Sequence, residues 1–153
     1  MQRILTKLLV AVSVASVAMC AADSSIGTWK LNLAKSTSQN TNPIKSRTDV
    51  YEAIPNGSVK VTRIEVRTDG TTYDYSYTCK YDGKEYSVKG AMYKTISTRR
   101  ADANTIIEIK KGGLFNQTVK NVYSEDGKTR TSIMKGTDAQ GKPVSATLIF
   151  DKQ

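Results

Sequence analysis

The strongest constraint on the fold is an alternation of side-chain character with a period of two. From Thr72 to Tyr81, every second residue is Tyr or Cys, and the residues between them are Thr, Asp, Ser or Lys. Because successive side chains of a strand point to opposite faces of a sheet, this pattern predicts a strand with one buried face. Other segments repeat the alternation and end in short turns that contain glycine, which favours tight hairpins. The sequence therefore predicts a series of antiparallel strands.

The predicted strands form one all-β domain over residues 23–153, with no substantial helix. They cover residues 27–33, 47–54, 58–67, 71–81, 85–89, 93–100, 105–110, 115–124, 129–137 and 144–151. Trp29, Leu31 and Leu33 are expected on one face of the first strand, and residues 35–42 are expected to form a long surface loop. An open meander would expose strand edges, so we predict an antiparallel up-and-down meander closed into a barrel of about eight to ten strands. A two-sheet sandwich is the alternative, although its crossovers need longer connections than these turns.

The amino-terminal segment predicts export. Residues 1–22 begin with the basic residues Arg3 and Lys7, continue with an apolar run and end in small residues. The apolar run is too short to span a bilayer, so we interpret the segment as a signal peptide and expect a secreted or periplasmic protein. The alternative is a membrane-anchored lipoprotein with a lipid anchor at Cys20. If Cys20 is lost with the signal, Cys79 has no partner for an intramolecular disulfide.

The lack of histidine removes several kinds of chemistry. A chain without histidine cannot build a Ser-His-Asp or Cys-His catalytic group, or an imidazole metal site. Catalysis would have to use Tyr, Lys, Cys79 or acids such as Glu65, Asp74 and Glu108, and outward-facing carboxylates on strands are usually exposed to solvent. Cys79 lacks an activating base and is expected to be a small core residue. We therefore expect a protein that is not an enzyme and needs no cofactor or metal; an activity based on Asp, Glu or Tyr is the alternative.

The net charge of +9 bears on the partners of the protein. Positive residues are spread over turns and outward strand positions, with doublets at Arg99-Arg100 and Lys110-Lys111. The doublets have no aromatic residues interleaved with them, and an exported protein seldom meets nucleic acid, so no nucleic-acid binding is expected. An anionic component of the cell envelope is the alternative electrostatic partner. The lysines are expected to be solvated and to protect strand edges in a monomer.

The inward face of the tyrosine-rich strand is the candidate for a ligand site. Tyr73, Tyr75 and Tyr77 share this face, and each buried phenol hydroxyl needs a hydrogen-bond partner. Either the rings line a partly hydrated cavity, or they pack against the opposite wall and direct their hydroxyls to the barrel mouth or to the backbone. Neighbouring strands are expected to add apolar lining from Val59, Val61, Ile107, Ile109, Val144, Ala146, Leu148 and Phe150. A barrel of this size can hold one small ligand.

Two functions follow from these two interpretations of the interior. The first is an exported, non-enzymatic barrel that binds a small apolar or amphipathic ligand. Its expected ligand-binding residues are Tyr73, Tyr75, Tyr77, Val61, Ile107 and Leu148. The second is a structural or interaction module of the cell envelope with a filled core and a basic binding surface. A continuous cavity beside the tyrosines would favour the first function.

The sequence Gly-Thr-Trp at residues 27–29 resembles the Gly-x-Trp motif of the lipocalin and fatty-acid-binding-protein group of barrels. A further string, residues 135–142, is similar to a set of small exported bacterial proteins that are described as lipocalin-like. The resemblance implies that Trp29 closes the barrel floor and that residues 35–42 partly cover the mouth. It also implies that an arginine stacks on Trp29, for which Arg130 is the candidate. The pair of amphipathic helices that fatty-acid-binding proteins carry after the first strand is missing from this sequence.

Overall fold

Ten antiparallel strands form one sheet that closes on itself almost completely. The computed structural model describes residues 23–40 and 42–153, so the expected signal peptide, with Cys20, lies outside the described residues. The strands are β1 (Gly27–Ser38), β2 (Ile44–Ile54), β3 (Ser58–Arg67), β4 (Thr72–Cys79), β5 (Asp82–Ser87), β6 (Thr95–Asp102), β7 (Thr105–Gly112), β8 (Phe115–Tyr123), β9 (Thr129–Thr137) and β10 (Pro143–Lys152). A short 3-10 turn, Pro55–Gly57, joins β2 to β3. Within these residues, no helix is long and apolar enough to cross a membrane.

Pairing of the first and last strands closes the barrel. β1 is hydrogen-bonded to β2 on one side and to β10 on the other, with Trp29 opposite both Asp49 and Lys152. Every other ladder joins strands that follow one another in the sequence. In the described chain, β4 and β5 share no ladder, although only Lys80 and Tyr81 separate them. The predicted up-and-down barrel is therefore confirmed, with one seam between β4 and β5.

Side chains and a connecting segment cover this seam. Thr98 Oγ1 on β6 donates a hydrogen bond to Cys79 Sγ at the end of β4, over 3.3 Å, and both residues are buried. The segment between β5 and β6 packs on the other half of β4, where a Cβ added at Gly90 would lie 3.4 Å from Tyr75 Cβ. Tyr93, at the end of this segment, is buried. Cys79 is a buried free thiol, as expected for a small core residue.

The first strand is longer than predicted and contains an irregularity. It continues to Ser38, so the first half of the expected surface loop is strand. Its register with β10 shifts between Asn32 and Thr37. Leu33 lies in this irregular part and is 51% exposed, whereas Trp29 is fully buried. The prediction that Leu33 shares the buried face of Trp29 is wrong, because a shift in register breaks the alternation of faces.

β7 presents to the interior the opposite set of residues from the one predicted. Ile106, Glu108 and Lys110 are buried, whereas Ile107 and Ile109 are half-buried on the outward face. The expected inward positions of Ile107 and Ile109 are therefore wrong. Isoleucine occurs on both faces of this strand, so its hydrophobic pattern does not specify which face is buried. Pairing with the regularly alternating residues of β8 decides the orientation.

Aromatic side chains fill the end of the barrel where β1 begins. Trp29 is fully buried, and its Nε1 donates a hydrogen bond to the carbonyl oxygen of Ser25 over 2.9 Å. The Cζ atom of the Arg130 guanidinium lies 5.5 Å from the centre of the Trp29 ring. The Tyr123 ring meets the Trp29 ring edge-on at 5.3 Å. Packed side chains thus close this end of the barrel, and Trp29 is buried among them with Arg130 over its indole ring.

Candidate ligand-binding cavity

A cavity of about 390 Å³ opens at the end of the barrel opposite Trp29. It lies where the odd-numbered strands end and the even-numbered strands begin. The lining residues are Asn40, Asn42, Ile44, Arg47, Arg63, Glu65, Arg67, Tyr73, Tyr75, Met92, Tyr93, Lys110, Phe115, Gln117, Met134, Asp138, Ala139, Gln140 and Val144. The interior is thus filled at one end and open at the other.

Asp49 lies below the cavity and is surrounded by three arginines. Its Oδ1 accepts hydrogen bonds from Nε of Arg47 over 2.9 Å and from Nε of Arg63 over 2.7 Å. Its Oδ2 accepts hydrogen bonds from Nη2 of the same two arginines, over 2.9 and 3.2 Å. Arg130 Nη2 adds a fifth hydrogen bond to Oδ2, over 2.6 Å. A buried carboxylate needs such partners, and Asp49 acts as the shared anion of β2, β3 and β9.

These contacts set the ionisation of the group. Burial alone would raise the pKa of Asp49, but the charges of Arg47, Arg63 and Arg130 hold that pKa well below its ordinary value. Burial alone would lower the pKa of Arg63, but the Asp49 carboxylate raises it well above its ordinary value. Asp49 and its arginines are therefore charged at neutral pH, and one anion compensates only part of three positive charges.

Glu65 is a second buried carboxylate, on the wall of the cavity. Its Oε2 lies 3.6 Å from Arg47 Nη1, and its Oε1 lies 2.6 Å from Arg67 Nη2. Arg67 Nη1 also donates a hydrogen bond to the carbonyl oxygen of Asn42 over 2.8 Å. Glu65 and Arg67 thus connect the end of β3 with the segment at the mouth that precedes β2.

Glu108 and Lys110 form a buried ion pair on β7. Glu108 Oε2 lies 3.0 Å from Lys110 Nζ, and the Tyr51 hydroxyl donates a hydrogen bond to Glu108 Oε1 over 3.5 Å. Burial alone would raise the pKa of Glu108, but the charges of Lys110 and Arg63 lower it to about 2. Burial lowers the pKa of Lys110 to about 8; Glu108 opposes this shift, and Arg63 and Arg47 reinforce it. The Lys110 amine is therefore partly neutral at mildly alkaline pH.

The hydroxyls of Tyr75 and Tyr93 form a hydrogen-bonded pair on the cavity wall. The two oxygens lie 3.0 Å apart, and Arg63 Nη1 donates a hydrogen bond to the Tyr75 hydroxyl over 3.3 Å. Burial raises the pKa of Tyr93 well above its ordinary value, and Tyr75 adds to this effect. Tyr93 is therefore a neutral phenol at neutral pH. The pair gives a polar edge to an otherwise aromatic part of the wall.

Apolar side chains form another part of the wall. Phe115 is buried, and its ring centre lies 5.7 Å from that of Tyr93. The remaining large apolar lining residues are Ile44, Met92, Met134 and Val144. Removing hydrocarbon from water against such a surface contributes about 25 cal/mol for each Å² of apolar area buried. The cavity therefore joins an apolar surface to a charged one.

Positive charge exceeds negative charge in the interior. Among the described residues, the interior cations are Arg47, Arg63, Arg67, Lys110 and Arg130, and the interior carboxylates are Asp49, Glu65 and Glu108. Asp138 also lines the mouth, but its Oδ1 accepts hydrogen bonds from the backbone N–H groups of Gln140 and Lys142, each over 2.9 Å. That carboxylate therefore belongs to a turn at the rim. The interior itself has more cations than it has anions to pair with them.

The cavity includes two of the predicted ligand-binding residues. Tyr73 and Tyr75 line it, from the start of β4. Tyr77, Val61 and Leu148 are buried in the barrel interior but lie outside the lining of this cavity. A direct contact between any of these residues and a ligand stays a prediction.

Two other predicted residues lie away from the cavity, whereas part of the predicted mouth segment, residues 35–42, lines it. Ile107 is on the outer face of β7, and Trp29 lies at the opposite end of the barrel. From the segment expected to cover the mouth, Asn40 and Asn42 line the cavity. The first half of that segment belongs to β1 instead.

The charged part of the site differs most from the expectations. The expected exposure of strand carboxylates is wrong for Glu65 and Glu108, and the expected solvation of lysines is wrong for Lys110. Asp74, the third candidate acid, is exposed. The alternation of β3 contained a signal, because Arg63 and Glu65 continue the inward face that begins with two valines. Their charge argued against burial. Arg63 pairs with Asp49 of β2, and Glu65 pairs with Arg47 of β2 and with Arg67 of its own strand.

Comparisons with solved structures identify the fold. No protein-family model matches the sequence, and no curated protein sequence matches it significantly. The crystal structure of the fluorescent protein UnaG is similar, with 14% identity, 84% of this chain and 96% of that chain covered, and a TM-score of 0.56. A Schistosoma mansoni fatty acid binding protein in complex with arachidonic acid has 12% identity, 85% and 96% coverage, and a TM-score of 0.56. The chain has a calycin-type β-barrel fold.

A third similar structure, EF1p2_mFAP2b bound to DFHBI, has 10% identity, covers 87% of this chain and 97% of that chain, and has a TM-score of 0.50. All three proteins are covered almost completely by this chain, so the likeness extends to the whole calycin-type barrel. The fold supports the lipocalin-like resemblance of the sequence. One of the similar structures is a fatty acid binding protein. The described residues of this chain nevertheless lack a helix pair after β1.

Proposed function

We propose that this protein is a non-enzymatic barrel that reversibly binds a small amphipathic molecule with an anionic head group. The observation that carries the proposal is the cavity of about 390 Å³, in which a cationic wall adjoins an apolar one. Its volume falls within the range of roughly 300–1,000 Å³ that is typical of small-ligand sites. The alternative, a structural module with a filled core, does not account for this space.

The charge of the wall favours an anionic head group. Arg63, Arg67 and Lys110 all line the cavity, and the buried carboxylates compensate only part of the positive charge around them. A carboxylate accepts strong hydrogen bonds from guanidinium and ammonium groups, especially where water is excluded. The neutral phenol of Tyr93 can donate a further hydrogen bond without repelling an anion. An anionic head group therefore lowers the electrostatic cost of the uncompensated cations.

The apolar wall favours a hydrocarbon body. Phe115 and Met134 face the cavity together with Ile44, Met92 and Val144. Methionine side chains adapt their shape to irregular ligands, which suits a flexible chain better than a rigid polar molecule. Burial of the hydrocarbon supplies affinity, and the polar wall orients the head group.

The similar structures support this class of ligand. The Schistosoma mansoni protein is in complex with arachidonic acid, in which a carboxyl group is joined to a hydrocarbon chain. The protein EF1p2_mFAP2b was bound to another small organic molecule, DFHBI. The combination of head and chain in a fatty acid corresponds to the two adjoining walls of the cavity.

Calorimetric titration with decanoate and with 1-decanol tests the proposal. The two probes share a chain length and differ in head-group charge. We expect decanoate to bind about tenfold more tightly than the alcohol, because charge-assisted hydrogen bonds contribute on the order of 1.4 kcal/mol or more. Equal affinities would remove the anionic head group from the proposal, and binding of neither probe would contradict ligand binding itself.

A matched pair of arginine variants locates the head group. Arg67 lines the cavity and is largely buried, whereas Arg99 lies exposed on β6. We expect Arg67→Gln to weaken decanoate binding by about tenfold and to leave 1-decanol binding unchanged. Arg99→Gln should change neither. A similar loss of affinity in both variants would indicate only a general effect of net charge.

Purification from the native host addresses the natural ligand. Native mass spectrometry of the intact protein should show a retained small molecule, and Tyr75→Ala should reduce its retention because Tyr75 lines the cavity. Repeated absence of an adduct, together with no fluorescence change from hydrophobic probes, would argue strongly against ligand binding.

The proposed setting of this function is outside the cytoplasm. The basic start, apolar run and small residues of segment 1–22 support export, and that segment lies outside the described residues. Expression of the full chain followed by cell fractionation tests it, and amino-terminal sequencing should find Asp23 first in the exported protein. If a Cys20→Ala variant remains bound to the membrane, lipid anchoring at Cys20 is eliminated.

A further inference from the structure

Lys110 is an amine enclosed in the cavity rather than a surface charge. Its side chain is 5% exposed, although the residue lines the space in which a ligand would sit. Its Nζ lies 3.0 Å from Glu108 Oε2 and 5.5 Å from the centre of the Tyr93 ring. The next residue, Lys111, is 54% exposed and lies 3.1 Å from Glu85 on the outer surface. Two adjacent lysines thus have opposite environments.

The groups around Lys110 favour its neutral form. Burial is the largest cause of its lowered pKa, and the cations Arg63 on β3 and Arg47 on β2 act in the same direction. Glu108 on the same strand opposes them. The neutral phenols of Tyr93, beside the amine, and of Tyr51, which donates a hydrogen bond to Glu108, add no charge. With a pKa of about 8, roughly half of the Lys110 side chains are neutral at that pH, compared with about one in 250 for an ordinary lysine.

We propose that Lys110 forms a reversible imine with small apolar aldehydes that enter the cavity, so that the barrel can hold this class of molecule covalently. The inference rests on the proposed function, because the same cavity must first admit the hydrocarbon part of the aldehyde. Burial that leaves a lysine amine neutral activates it as a nucleophile toward carbonyl groups. The apolar lining of Phe115 and Met134 provides the binding surface for the chain of the aldehyde.

The reaction balances without an oxidant or a reductant. The lone pair of neutral Nζ attacks the aldehyde carbon, and the carbonyl oxygen takes up the first proton released by the nitrogen to give a carbinolamine. Loss of that hydroxyl as water, together with the second proton of the nitrogen, leaves a C=N bond between Lys110 and the former aldehyde carbon. Protonation of the imine nitrogen gives a cation for which Glu108, 3.0 Å from Nζ in the unreacted protein, is the counter-ion. Addition of water reverses each step.

Reductive trapping tests the inference. Full-length protein is incubated with decanal and cyanoborohydride at about pH 8, and the modified residue is identified by peptide mapping. We expect modification of Lys110 to exceed that of any exposed lysine by at least about tenfold, because of its larger neutral fraction. Lys110→Arg should lose this product, and Lys111→Arg should retain it. Equal modification of many exposed lysines, or an unchanged product in Lys110→Arg, would overturn the inference.

Decanoate separates failure of this inference from failure of the proposed function. Decanoate should compete for the cavity and reduce trapping at Lys110 while exposed lysines react as before. If calorimetry shows decanoate binding but Lys110 is not trapped, imine formation is wrong and amphipathic binding stands. If decanoate does not bind and Lys110 is not trapped, both are wrong. Circular dichroism and the Tm of Lys110→Arg show whether the variant keeps the fold on which the comparison depends.

Discussion

Arg130 on β9 and Asp49 on β2 are joined by a hydrogen bond of 2.6 Å from Nη2 to Oδ2, although 81 residues separate them in the sequence. Both residues are fully buried. The Arg130 Cζ atom also lies 3.9 Å from the centre of the Phe150 ring on β10, so the guanidinium lies between an anion and an aromatic face. This arrangement connects strands that are not neighbours in the sheet.

Removal of the Asp49 charge should destabilise the barrel strongly. Asp49→Asn keeps the shape of the side chain but leaves three buried arginines without their shared anion, a change that costs about 3–5 kcal/mol at comparable sites. Unfolding in urea, followed by circular dichroism, measures the loss. The matched control is Asp74→Asn on the exposed face of β4, which should change stability by less than about 0.5 kcal/mol. Similar small effects of both variants would show that the buried arginines do not depend on Asp49.

Glu108 should make the protein sensitive to acid. Its pKa is about 2 in the folded protein, against an ordinary value of 4.5. Because the folded value is the lower one, its contribution to stability is present above pH 4.5 and is lost as the pH falls toward 2. The contribution is on the order of 3 kcal/mol at most. Glu108→Gln should lack this part of the decrease in unfolding free energy between about pH 5 and about pH 3.

An exposed glutamate provides the control for that measurement. Glu52 forms a surface pair with Lys60, and its side chain is 54% exposed. Glu52→Gln should therefore show the same acid sensitivity as the original protein. If the unfolding free energy of Glu108→Gln decreases in acid by as much as that of the original protein, the acid sensitivity belongs to other carboxylates.

Lys110 should make stability depend on pH in the alkaline range, with the same sign as Glu108 has in acid. Its pKa is lowered from 10.5 to about 8 by burial, so above pH 8 the unfolded chain binds more protons at this residue than the folded protein does. Its contribution to stability therefore rises with pH from about 8 until the buried tyrosines begin to oppose folding near about pH 10. We expect Lys110→Met to lack a gain on the order of 1–3 kcal/mol over that range. Lys111→Met should retain the gain, and its loss in both variants would contradict the assignment to Lys110.

Gly136 on β9 should not tolerate a side chain. Its φ is +151°, and a Cβ at this position would collide with the carbonyl oxygen of Asn116 and lie 2.7 Å from Gln117 Cα. Both obstacles are backbone atoms of β8, so Gly136→Ala should lower the Tm and cost more than about 3 kcal/mol. Gly127→Ala, in a turn with φ +67° and open space around it, should cost about 1 kcal/mol from backbone strain alone. Equal costs would mean that β8 can move away.

The sequence predicted the elements whose two faces differ clearly. β4 has tyrosine on one face and small polar or charged residues on the other, and its buried face is as predicted. β7 has isoleucine on both faces, so only its partners in the sheet could decide which residues are buried. The exposed position of Leu33 depends on a register shift between β1 and β10, which pairs segments from opposite ends of the domain. Local alternation does not contain that information.

The charged interior was not predictable from local patterns for a related reason. Arg63 and Glu65 occupy inward positions of β3, but burial of each depends on partners from other strands or from later in the same strand. Arg130 is 81 residues from Asp49, with which it makes an ion pair of 2.6 Å. A charge is buried when such partners converge, and convergence is a property of the closed barrel. The tyrosines at the cavity were predictable, since their strand pattern alone places them on the inner face.

At the seam between β4 and β5, side-chain contacts take the place of the main-chain ladder that joins the other neighbouring strands of the described barrel. Parting the wall at any of the paired strands breaks a row of main-chain hydrogen bonds, whereas in the described chain no such row joins β4 to β5. These contacts include the Thr98 to Cys79 hydrogen bond near one end of the seam and the packed segment around Gly90 near the other. The barrel can therefore open at this seam without breaking any of the ladders between its paired strands. We expect a ligand in the proposed site to exchange through local opening of this seam, at a rate separate from that of global unfolding.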